Sequence, residues 1–370
     1  MKIICSKSSL LKSVSIALKA VPSKTTMPIL ECILMDATTN QIKFTTNDME
    51  LGIETIVDGT IEEKGKVALD AKIFYEIIRR LPDNDITIRT DDKYSATITC
   101  EKAKFNIPGK SGEDFAYLPM IEKDEPLTIS QYTLKEMIRQ TIFSIAVNEN
   151  NKLMTGELFE IKDNCLKVVS LDGHRIAIRK MPLKREYSDR KVVVPGKTLS
   201  EVSKILSGEV DDQVSIYFTK NHILFEFDQT MVVSRLIEGE YFRIDQMLSS
   251  DYETKLKINK KEFMDCIDRA TLLVKEGDKK PIIMNITDGT MELKINSFIG
   301  SMNEDIDIAK EGKDILIGFN PKFFIDALRV IDEEEVTLYM VNPKAPCFIK
   351  DDEGTFIYLI LPVNFNAAAN

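Results

Sequence analysis

Residues 256–267 read LKINKKEFMDCI, and the same pattern returns as IICSKSSLLKSV at 3–14 and as LTISQYTLKEMI at 127–138. Each copy opens with a short alternating strand, passes through a polar residue and continues with apolar residues at helical spacing. The polar residues are Ser6, Ser130 and Asn259. Serine and asparagine are favoured N-caps because their side chains accept hydrogen bonds from free first-turn amides. The pattern therefore predicts a strand followed at once by a capped helix, three times.

A second pattern repeats with the first and sets the period. It predicts strand, cap and helix together at 67–81, 192–206 and 317–331. The predicted caps are Asp70, Pro195 or its neighbour, and Asn320. Lysines recur at equal steps of 125 residues, namely Lys72, Lys197 and Lys322. Helices interspersed among runs of short alternating strands, such as 86–88, 214–216 and 336–338, predict an α+β fold rather than a parallel α/β sheet.

A repeat of this length corresponds to a whole domain, because it is too long for the unit of a solenoid. The sequence predicts three similar domains at 1–124, 125–250 and 251–370, each with two helices on antiparallel sheets. The polar stretches 122–126 and 249–254 are the predicted boundaries. Three similar domains in one chain favour a rotational arrangement, which a dimer can close into a ring.

The composition limits the classes of function. The chain has 370 residues, of which 44% are hydrophobic and 29% charged, a balance typical of soluble globular proteins. No signal peptide and no apolar run near the roughly 20 residues of a bilayer span is evident, so we expect a cytoplasmic protein with no membrane partner. Six scattered cysteines and two histidines argue against a disulfide framework or a metal centre. No glycine-rich phosphate loop occurs, and we expect no cofactor.

Five short motifs, in order across the repeats, make the chain similar to a known family. They are PSKTTMPIL at 22–30, FTTNDME at 44–50, LDGHRIA at 171–177, VVPGK at 193–197 and YLILPV at 358–363. With these motifs the chain resembles the bacterial sliding clamps, the beta subunits of DNA polymerase III. The resemblance implies a head-to-tail ring dimer of three-domain chains, with helices lining the hole. Such a ring encircles duplex DNA, slides along it and tethers the replicative polymerase for processive synthesis.

The resemblance also implies a role without catalysis, as the processivity subunit of a DNA-directed DNA polymerase, a nucleotidyltransferase complex. The implied partners are that polymerase, the clamp loader, and other polymerases and repair proteins carrying clamp-binding peptides. These peptides would dock in a pocket between the second and third domains. The pocket residues implied are Met154, Leu171, Gly173, His174, Arg175, Ile176, Phe242, Met247, Pro346, Leu359, Leu361 and Asn364. An apolar pocket with a few polar groups suits a peptide with an aliphatic or aromatic anchor.

Two pocket positions depart from the family pattern. Phe242 stands where proline is usual, and Asn364 stands where a basic residue is usual. The peptide preference is therefore left open, and no role is assigned to residues 365–370. For Leu359 and Leu361, an ordinary core position is an equal alternative, because a terminal strand must bury one face.

Asp172 and His174 also permit a catalytic interpretation, because a carboxylate and an imidazole two residues apart can serve acid–base chemistry. The alternative is a tight turn in which Gly173 takes a positive φ. The sequence places no serine elbow or carboxylate pair beside them, so a hydrolase is the less favoured hypothesis. A monomeric scaffold without a DNA role is a third hypothesis.

The net charge of −10 argues, as an average, against a nucleic-acid binder. Basic residues nevertheless recur on the predicted helices, and the acidic runs 83–85, 211–212 and 332–335 fall in loops after them. The helix cations include Lys7, Lys12, Lys19, Arg79, Lys135, Lys204, Lys260, Lys261, Arg269, Lys322 and Arg329. Cations facing a common hole attract phosphates without reading bases. We expect Lys24, Arg80, Arg139, Lys152 and Lys197 to face DNA.

The resemblance implies a dimer contact between the first repeat of one chain and the third repeat of the other. Its residues are Phe105 and Ile107 on an edge strand, with Leu272 and Leu273 near a helix end. A single chain would leave that strand edge unpaired, and sheet addition would satisfy it. For the two leucines an ordinary core position is an equal alternative.

Overall fold

The computed structural model of the chain describes residues 1–147, 150–248, 251–274 and 280–365. Its contacts divide the chain into two compact units. The first unit consists of Met1–Lys135 with Lys197–Leu236, and the second of Glu136–Gly196 with Ile237–Asn370. Each unit therefore takes in a part of the second repeat.

Each repeat of the described chain contains two α-helices, as the sequence predicts. They are α1 (Lys7–Ala17), α2 (Ala71–Arg80), α3 (Gln131–Arg139), α4 (Gly196–Ile205), α5 (Lys260–Thr271) and α6 (Pro321–Leu328). The three predicted first-helix caps are confirmed, because the side chains of Ser6, Ser130 and Asn259 accept from amides three residues later, at 3.0–3.2 Å. Asp70 caps α2 in the same way, and Asn320 caps α6 by accepting from the Lys322 amide two residues later. The helix starts are thus fixed by local side-chain chemistry.

The strands follow the predicted alternation, with buried and less buried side chains in turn along β8, for example. Residues 1–130 form β1 (Lys2–Ser6), β2 (Cys32–Asp36), β3 (Ile42–Asn47), β4 (Leu51–Val57), β5 (Thr60–Glu63), β6 (Lys66–Asp70), β7 (Asp85–Thr90), β8 (Ala96–Cys100), β9 (Ala103–Ile107), β10 (Gly109–Ser111) and β11 (Leu127–Ser130). Residues 156–235 form β12 (Gly156–Lys162), β13 (Cys165–Leu171), β14 (Arg175–Pro182), β15 (Arg190–Pro195), β16 (Gln213–Phe218), β17 (His222–Phe227) and β18 (Thr230–Arg235). Residues 254–360 form β19 (Thr254–Asn259), β20 (Ile282–Thr287), β21 (Thr290–Asn296), β22 (Ser301–Asp307), β23 (Ala309–Gly312), β24 (Ile315–Phe319), β25 (Glu335–Met340), β26 (Cys347–Lys350) and β27 (Phe356–Ile360).

The first unit contains two antiparallel sheets. One has the strand order β5-β1-β7-β8-β9, and the other has the order β10-β6-β2-β3-β4-β18-β17-β16-β11. The second sheet joins the first repeat to the second, because β4 pairs with β18, where the hydroxyls of Thr55 and Thr230 lie 2.9 Å apart. Helices α1 and α2 pack together and bury Leu10, Val14 and Phe74 completely in a common core.

The second unit repeats this plan. Its sheets have the orders β15-β12-β13-β14-β27-β26-β25-β19-β23 and β22-β21-β20-β24. Helices α5 and α6 pack together, and the ring of Phe324 meets those of Phe263 and Phe319 edge-on at 5.3 and 5.1 Å. Strand β14 pairs with β27, which joins the second repeat to the third. Because each nine-stranded sheet is continuous through two repeats, the boundaries at 124/125 and 250/251 stay a prediction.

The cysteines behave as isolated thiols. All six are free, and five are buried, Cys165 being half-buried. Burial raises the pKa of Cys5 and of Cys266 to about 12, which makes these thiols poor nucleophiles and metal ligands. Within the ranges described, three or more His, Cys, Asp or Glu side chains are nowhere grouped to hold a metal ion. The described helices are all too short or too polar to cross a membrane.

Candidate functional site

The segment Asp172–Arg175 forms a tight turn between β13 and β14. The Asp172 carboxylate accepts from the backbone amides of His174 and Arg175 at 3.0 and 3.1 Å. Gly173 has a φ of 83°, in the left-handed region, which confirms the turn prediction. The Asp172 carboxylate already accepts hydrogen bonds from the turn amides and from the Arg175 side chain, so it does not form an acid–base pair with His174. The geometry therefore gives no support to the hydrolase hypothesis.

Arg175 is buried beneath this turn, with a side chain only 7% exposed. Its guanidinium donates to Asp172 at 2.9 Å, to Asp326 of α6 at 2.6 Å and to the Phe143 carbonyl at 2.6 Å. The rings of Phe323 and Phe143 lie 4.6 and 5.7 Å from its central carbon. Burial works against its charge, but Tyr358, Asp326 and Asp172 raise the pKa of Arg175 above its ordinary value. Arg175 thus ties the turn to α6 and to the Phe143 carbonyl, and its implied place in the pocket stays a prediction.

His174 and Leu361 lie together at the surface above Arg175. The Leu361 amide donates to the His174 carbonyl at 2.9 Å, just beyond the paired residues Arg175 and Ile360. Both side chains are exposed, Leu361 to 38%. The His174 ring stacks on Phe323 with centroids 6.2 Å apart. These two residues form an accessible rim that a peptide can contact.

The floor beside this rim is apolar. Leu171, Ile176 and Leu359 are 2–5% exposed and belong to one cluster, so Leu359 occupies a core position while Leu361 does not. Met154 and Phe242 are half-buried against the same cluster. Phe242 also meets the ring of Tyr241 edge-on at 5.6 Å. These five predicted residues therefore form one apolar cluster, of which Met154 and Phe242 are the partly accessible members.

The other predicted pocket residues lie around this body. Met247 is 56% exposed in a short 3-10 helix whose next residue, Leu248, packs against the cluster. Asn364 and Gly173 are exposed, and Pro346 is half-buried before β26. Sequence reasoning missed Tyr241, Ile244 and Phe348, which complete the cluster, and Phe323 and Asp326 on α6. Phe323 and Asp326 are three residues apart and therefore share one face of α6, and this spacing is the sequence signal that could have identified them.

Glu157 is a buried carboxylate on β12, next to the floor residue Leu158. Alternation along the strand places its side chain on the opposite face from Leu158. It is completely buried, and among the described residues neither carboxylate oxygen accepts a well-formed hydrogen bond, although the nearby Thr141 hydroxyl opposes the rise in its pKa. Burial raises the pKa of Glu157 to about 8, so the carboxyl group is largely protonated at neutral pH.

The five residues predicted to face DNA are all at least partly accessible. Lys24 is exposed in a loop, and Lys152 is exposed at the start of the 3-10 helix Lys152–Thr155. Arg80 is exposed and lies 3.0 Å from Glu76, and Arg139 contacts Glu136 at 2.6 Å and Asp332 at 2.9 Å. Lys197 is 62% exposed and forms an ion pair with Asp48. Three of these cations therefore carry a carboxylate partner within their own unit.

Three of the helix lysines donate to backbone carbonyls, and in the middle repeat Lys135 of α3 donates to the Leu206 carbonyl at 3.3 Å. Lys7 and Lys260, the first residues of α1 and α5, donate their ammonium groups to the carbonyls of Leu81 and Ile331. The corresponding residue of the middle repeat is Gln131, whose side chain accepts from the Ser207 amide at 2.8 Å. This position therefore ties the first helix of each repeat to the segment after the second helix, and Lys7 and Lys260 are not free cations. By contrast, Lys72, Lys197 and Lys322 are all exposed at the second position of their helices.

Two of the predicted interface residues lie on an edge strand, and the other two lie just after helix α5. Phe105, 40% exposed, and Ile107 belong to β9, which ends the five-stranded sheet. Leu272 follows α5 and is 78% exposed, so it is not a core residue, whereas Leu273 packs partly against the core. Strand β22 ends the four-stranded sheet, and Glu304 on it pairs with Arg269 of α5. The turn before β22 carries Phe298, 97% exposed, which the sequence reasoning missed.

Three domain models match the chain in succession. They are described as the N-terminal, central and C-terminal domains of the DNA polymerase III beta subunit, and they match residues 1–119, 128–242 and 245–364.

Whole-chain relatives agree with these matches. The chain is 36% identical over 357 residues to the beta sliding clamp of Staphylococcus epidermidis, covering 94% of each chain. A putative DNA polymerase III beta subunit from Eubacterium rectale is 74% identical with a TM-score of 0.96, and the match covers 99% of this chain and 100% of that one. The DNA polymerase sliding clamp of Bacillus subtilis is 33% identical with a TM-score of 0.95 at the same coverage.

Proposed function

The chain belongs to the family of DNA polymerase III beta subunits, the bacterial sliding clamps, and from this premise we propose that it acts as a homodimeric ring around duplex DNA. A clamp is a processivity subunit and performs no chemistry on DNA. Its mechanism is topological, because a polymerase tethered to a ring rebinds its template at a high effective concentration. We place it in the cytoplasm, as part of a nucleotidyltransferase complex.

The observation that supports the ring proposal is a pair of unpaired sheet edges with opposite charges and exposed apolar residues near them. Within the described residues, β9 and β22 each end a sheet. Phe105 is exposed on β9, and Leu272 is exposed at the end of α5, the helix whose Arg269 pairs with Glu304 of β22. An exposed strand edge is a template for pairing with another chain. Lys102 and Lys104 are exposed around the start of β9, and Asp305 and Asp307 are exposed toward the end of β22. Antiparallel addition of β9 from one copy to β22 of another would bring these opposite charges together.

We expect Leu272→Ala to weaken the dimer about 10- to 30-fold, the usual effect of truncating a large buried anchor of an interface. Leu272 is mostly exposed in the single chain, so the substitution should leave the unfolding midpoint of the dissociated chain unchanged. Sedimentation equilibrium measures the dissociation constant. Val210→Ala, at another exposed apolar residue, is the matched control. A Leu272 variant that dimerises like the Val210 variant would refute the assigned interface.

We propose that the rim of His174 and Leu361 and the apolar floor beneath it receive linear peptides of partner proteins. These partners are the replicative polymerase, the clamp loader, and other polymerases and repair proteins with clamp-binding peptides. At the exposed rim a peptide can contact the His174 ring and the Leu361 side chain, and the half-buried Met154 and Phe242 form apolar walls. Apolar walls beside a few polar groups fit a peptide with one large apolar anchor.

The double substitution of His174→Ala and Leu361→Ala should lower the affinity for a polymerase-derived peptide about tenfold or more, because two rim contacts are lost. Fluorescence anisotropy with a labelled peptide measures the affinity. The dimer dissociation constant should not change, since neither residue lies on β9, β22 or α5. Met120→Ala, which truncates a fully exposed apolar side chain, serves as control. Unaltered peptide affinity would contradict the pocket assignment.

The experiment that tests the proposed function is retention on DNA of different topology. The protein is loaded with a matched clamp loader and ATP onto nicked circular DNA, and the complexes are isolated at high salt. Half of the sample is then linearised. We expect retention on circles and loss from linear ends, because salt screens phosphate attraction but does not undo encirclement. Equal retention on both forms would refute a sliding ring.

A further inference from the structure

Asp48 is a carboxylate held rigidly in the turn between β3 and β4. One oxygen, Oδ1, accepts from the amides of Glu50 at 3.0 Å and Leu51 at 2.7 Å. The other, Oδ2, accepts from the ammonium group of Lys197. The Asp48 side chain is only 7% exposed, and these three hydrogen-bond donors hold its carboxylate in place.

Lys197, the other member of this ion pair, is far more exposed to solvent than Asp48. It is the second residue of α4, and its side chain is 62% exposed. If the Lys197 ammonium group moved away, the nearly buried Asp48 carboxylate would lose its cation, so the ion pair is favoured. An approaching phosphate therefore meets an ammonium group whose charge is already balanced from within the protein.

We infer that Asp48 is an internal counter-ion that keeps the contact between Lys197 and DNA phosphate weak, an inference that rests on the proposed DNA-encircling function. Phosphate affinity comes largely from the counterions that DNA releases when a free cation neutralises it. A lysine paired with a fixed carboxylate adds no net charge near the phosphate, so it contributes little to that release. Lys197 can then contact the duplex while adding little to the affinity for DNA.

The same arrangement recurs at two other cations predicted to face DNA. Arg80 lies 3.0 Å from Glu76, and Arg139 contacts both Glu136 and Asp332. Glu76 and Asp332 are 44% and 72% exposed, so Asp48, nearly buried and held by backbone amides, is the clearest case. Weak contacts suit a protein that must move along DNA, because each strong phosphate contact would have to break at every step.

Asp48→Asn separates the charge of Asp48 from its structural role. The asparagine oxygen can still accept from the Glu50 and Leu51 amides, so the turn is kept while the negative charge is removed. We expect the full-length variant to bind a short fluorescent duplex about fivefold more tightly at low salt, as expected for one neighbouring charge in water. The plot of log affinity against log salt should steepen by about 0.9, the contribution of one additional phosphate.

Asp91→Asn is the matched control, because Asp91 also accepts from turn amides, those of Lys93 and Ser95 at 2.9 Å, and its loss changes the net charge equally. Lys197→Ala should remove the gain when combined with Asp48→Asn. Equal binding by the Asp48 and Asp91 variants, or a gain that survives Lys197→Ala, would overturn the inference. The inference and the proposed function fail separately, since the wild-type protein is tested independently by its retention on circular and linear DNA.

Discussion

Replacing Arg175 with alanine is expected to lower the free energy of unfolding of the second unit by about 3–5 kcal/mol, the usual cost of breaking a buried ion pair from one side. The substitution leaves Asp172 and Asp326, which are 14% and 17% exposed, without their shared cation. It also removes the donor to the Phe143 carbonyl and empties the space between two aromatic rings. Urea denaturation monitored by circular dichroism measures the loss.

The same substitution should weaken peptide binding under conditions in which the variant is still folded. The Asp172–Arg175 turn carries His174, and the guanidinium ties this turn to α6 through Asp326. Arg175→Lys should not restore binding, because a single ammonium group cannot reproduce the planar set of donors. Combining Arg175→Ala with Asp326→Asn should recover part of the stability, since it removes one unpaired carboxylate.

Arg179→Ala is the control for this prediction. Arg179 lies on the same strand, but its side chain is 30% exposed and lies 4.0 Å from Asp351. Its loss should cost about 1 kcal/mol or less, as for other accessible ion pairs. Equal losses from the Arg175 and Arg179 variants would show that the buried network does not stabilise the turn.

Replacing Glu157 with glutamine is expected to stabilise the protein by roughly 4 kcal/mol near pH 8, on the scale of about 1.4 kcal/mol per unit of pKa difference. The pKa of Glu157 is raised from 4.5 to about 8 by complete burial. Between these values the native state holds a proton that the unfolded state has lost. The wild-type protein therefore loses stability as pH rises from about 4.5 to about 8, and the glutamine variant should not show this loss.

The pH dependence is the measurement that identifies Glu157 as the cause. Urea midpoints of the wild type and of Glu157→Gln should be close at pH 5 and well separated at pH 8. Glu209→Gln, at an exposed glutamate, should follow the wild type throughout. A constant difference between wild type and Glu157→Gln at both pH values would show that the effect is one of packing and not of ionisation.

Much of the fold could be predicted because its signals are local. Ser6, Asp70, Ser130, Asn259 and Asn320 cap helices as expected, since a cap and the amides it accepts from lie within three residues of each other. The 125-residue period was visible because Lys72, Lys197 and Lys322 keep the same place on their helices. The pairing of β4 with β18 and of β14 with β27 was not visible, because no local pattern specifies which distant strands meet.

The candidate site shows the same limit at the level of single residues. The sequence located the turn at Asp172–Arg175 and the terminal strand, and the resemblance named His174 and Leu361. It could not tell that Leu359 faces the core while Leu361 is accessible, since this depends on where β27 ends. It also could not assign Lys7 and Lys260, whose ammonium groups reach carbonyls more than 70 residues away.

The sequence by itself determined the repeat, the capped helices, the alternating strands and the family. Only the tertiary structure decided which charges are compensated. Arg175 and Asp326 are 151 residues apart in the chain, and Lys197 and Asp48 are 149 apart. The reason is physical: caps and periodicity act between neighbours in sequence, whereas the state of a charge depends on the burial and partners that distant segments bring to it.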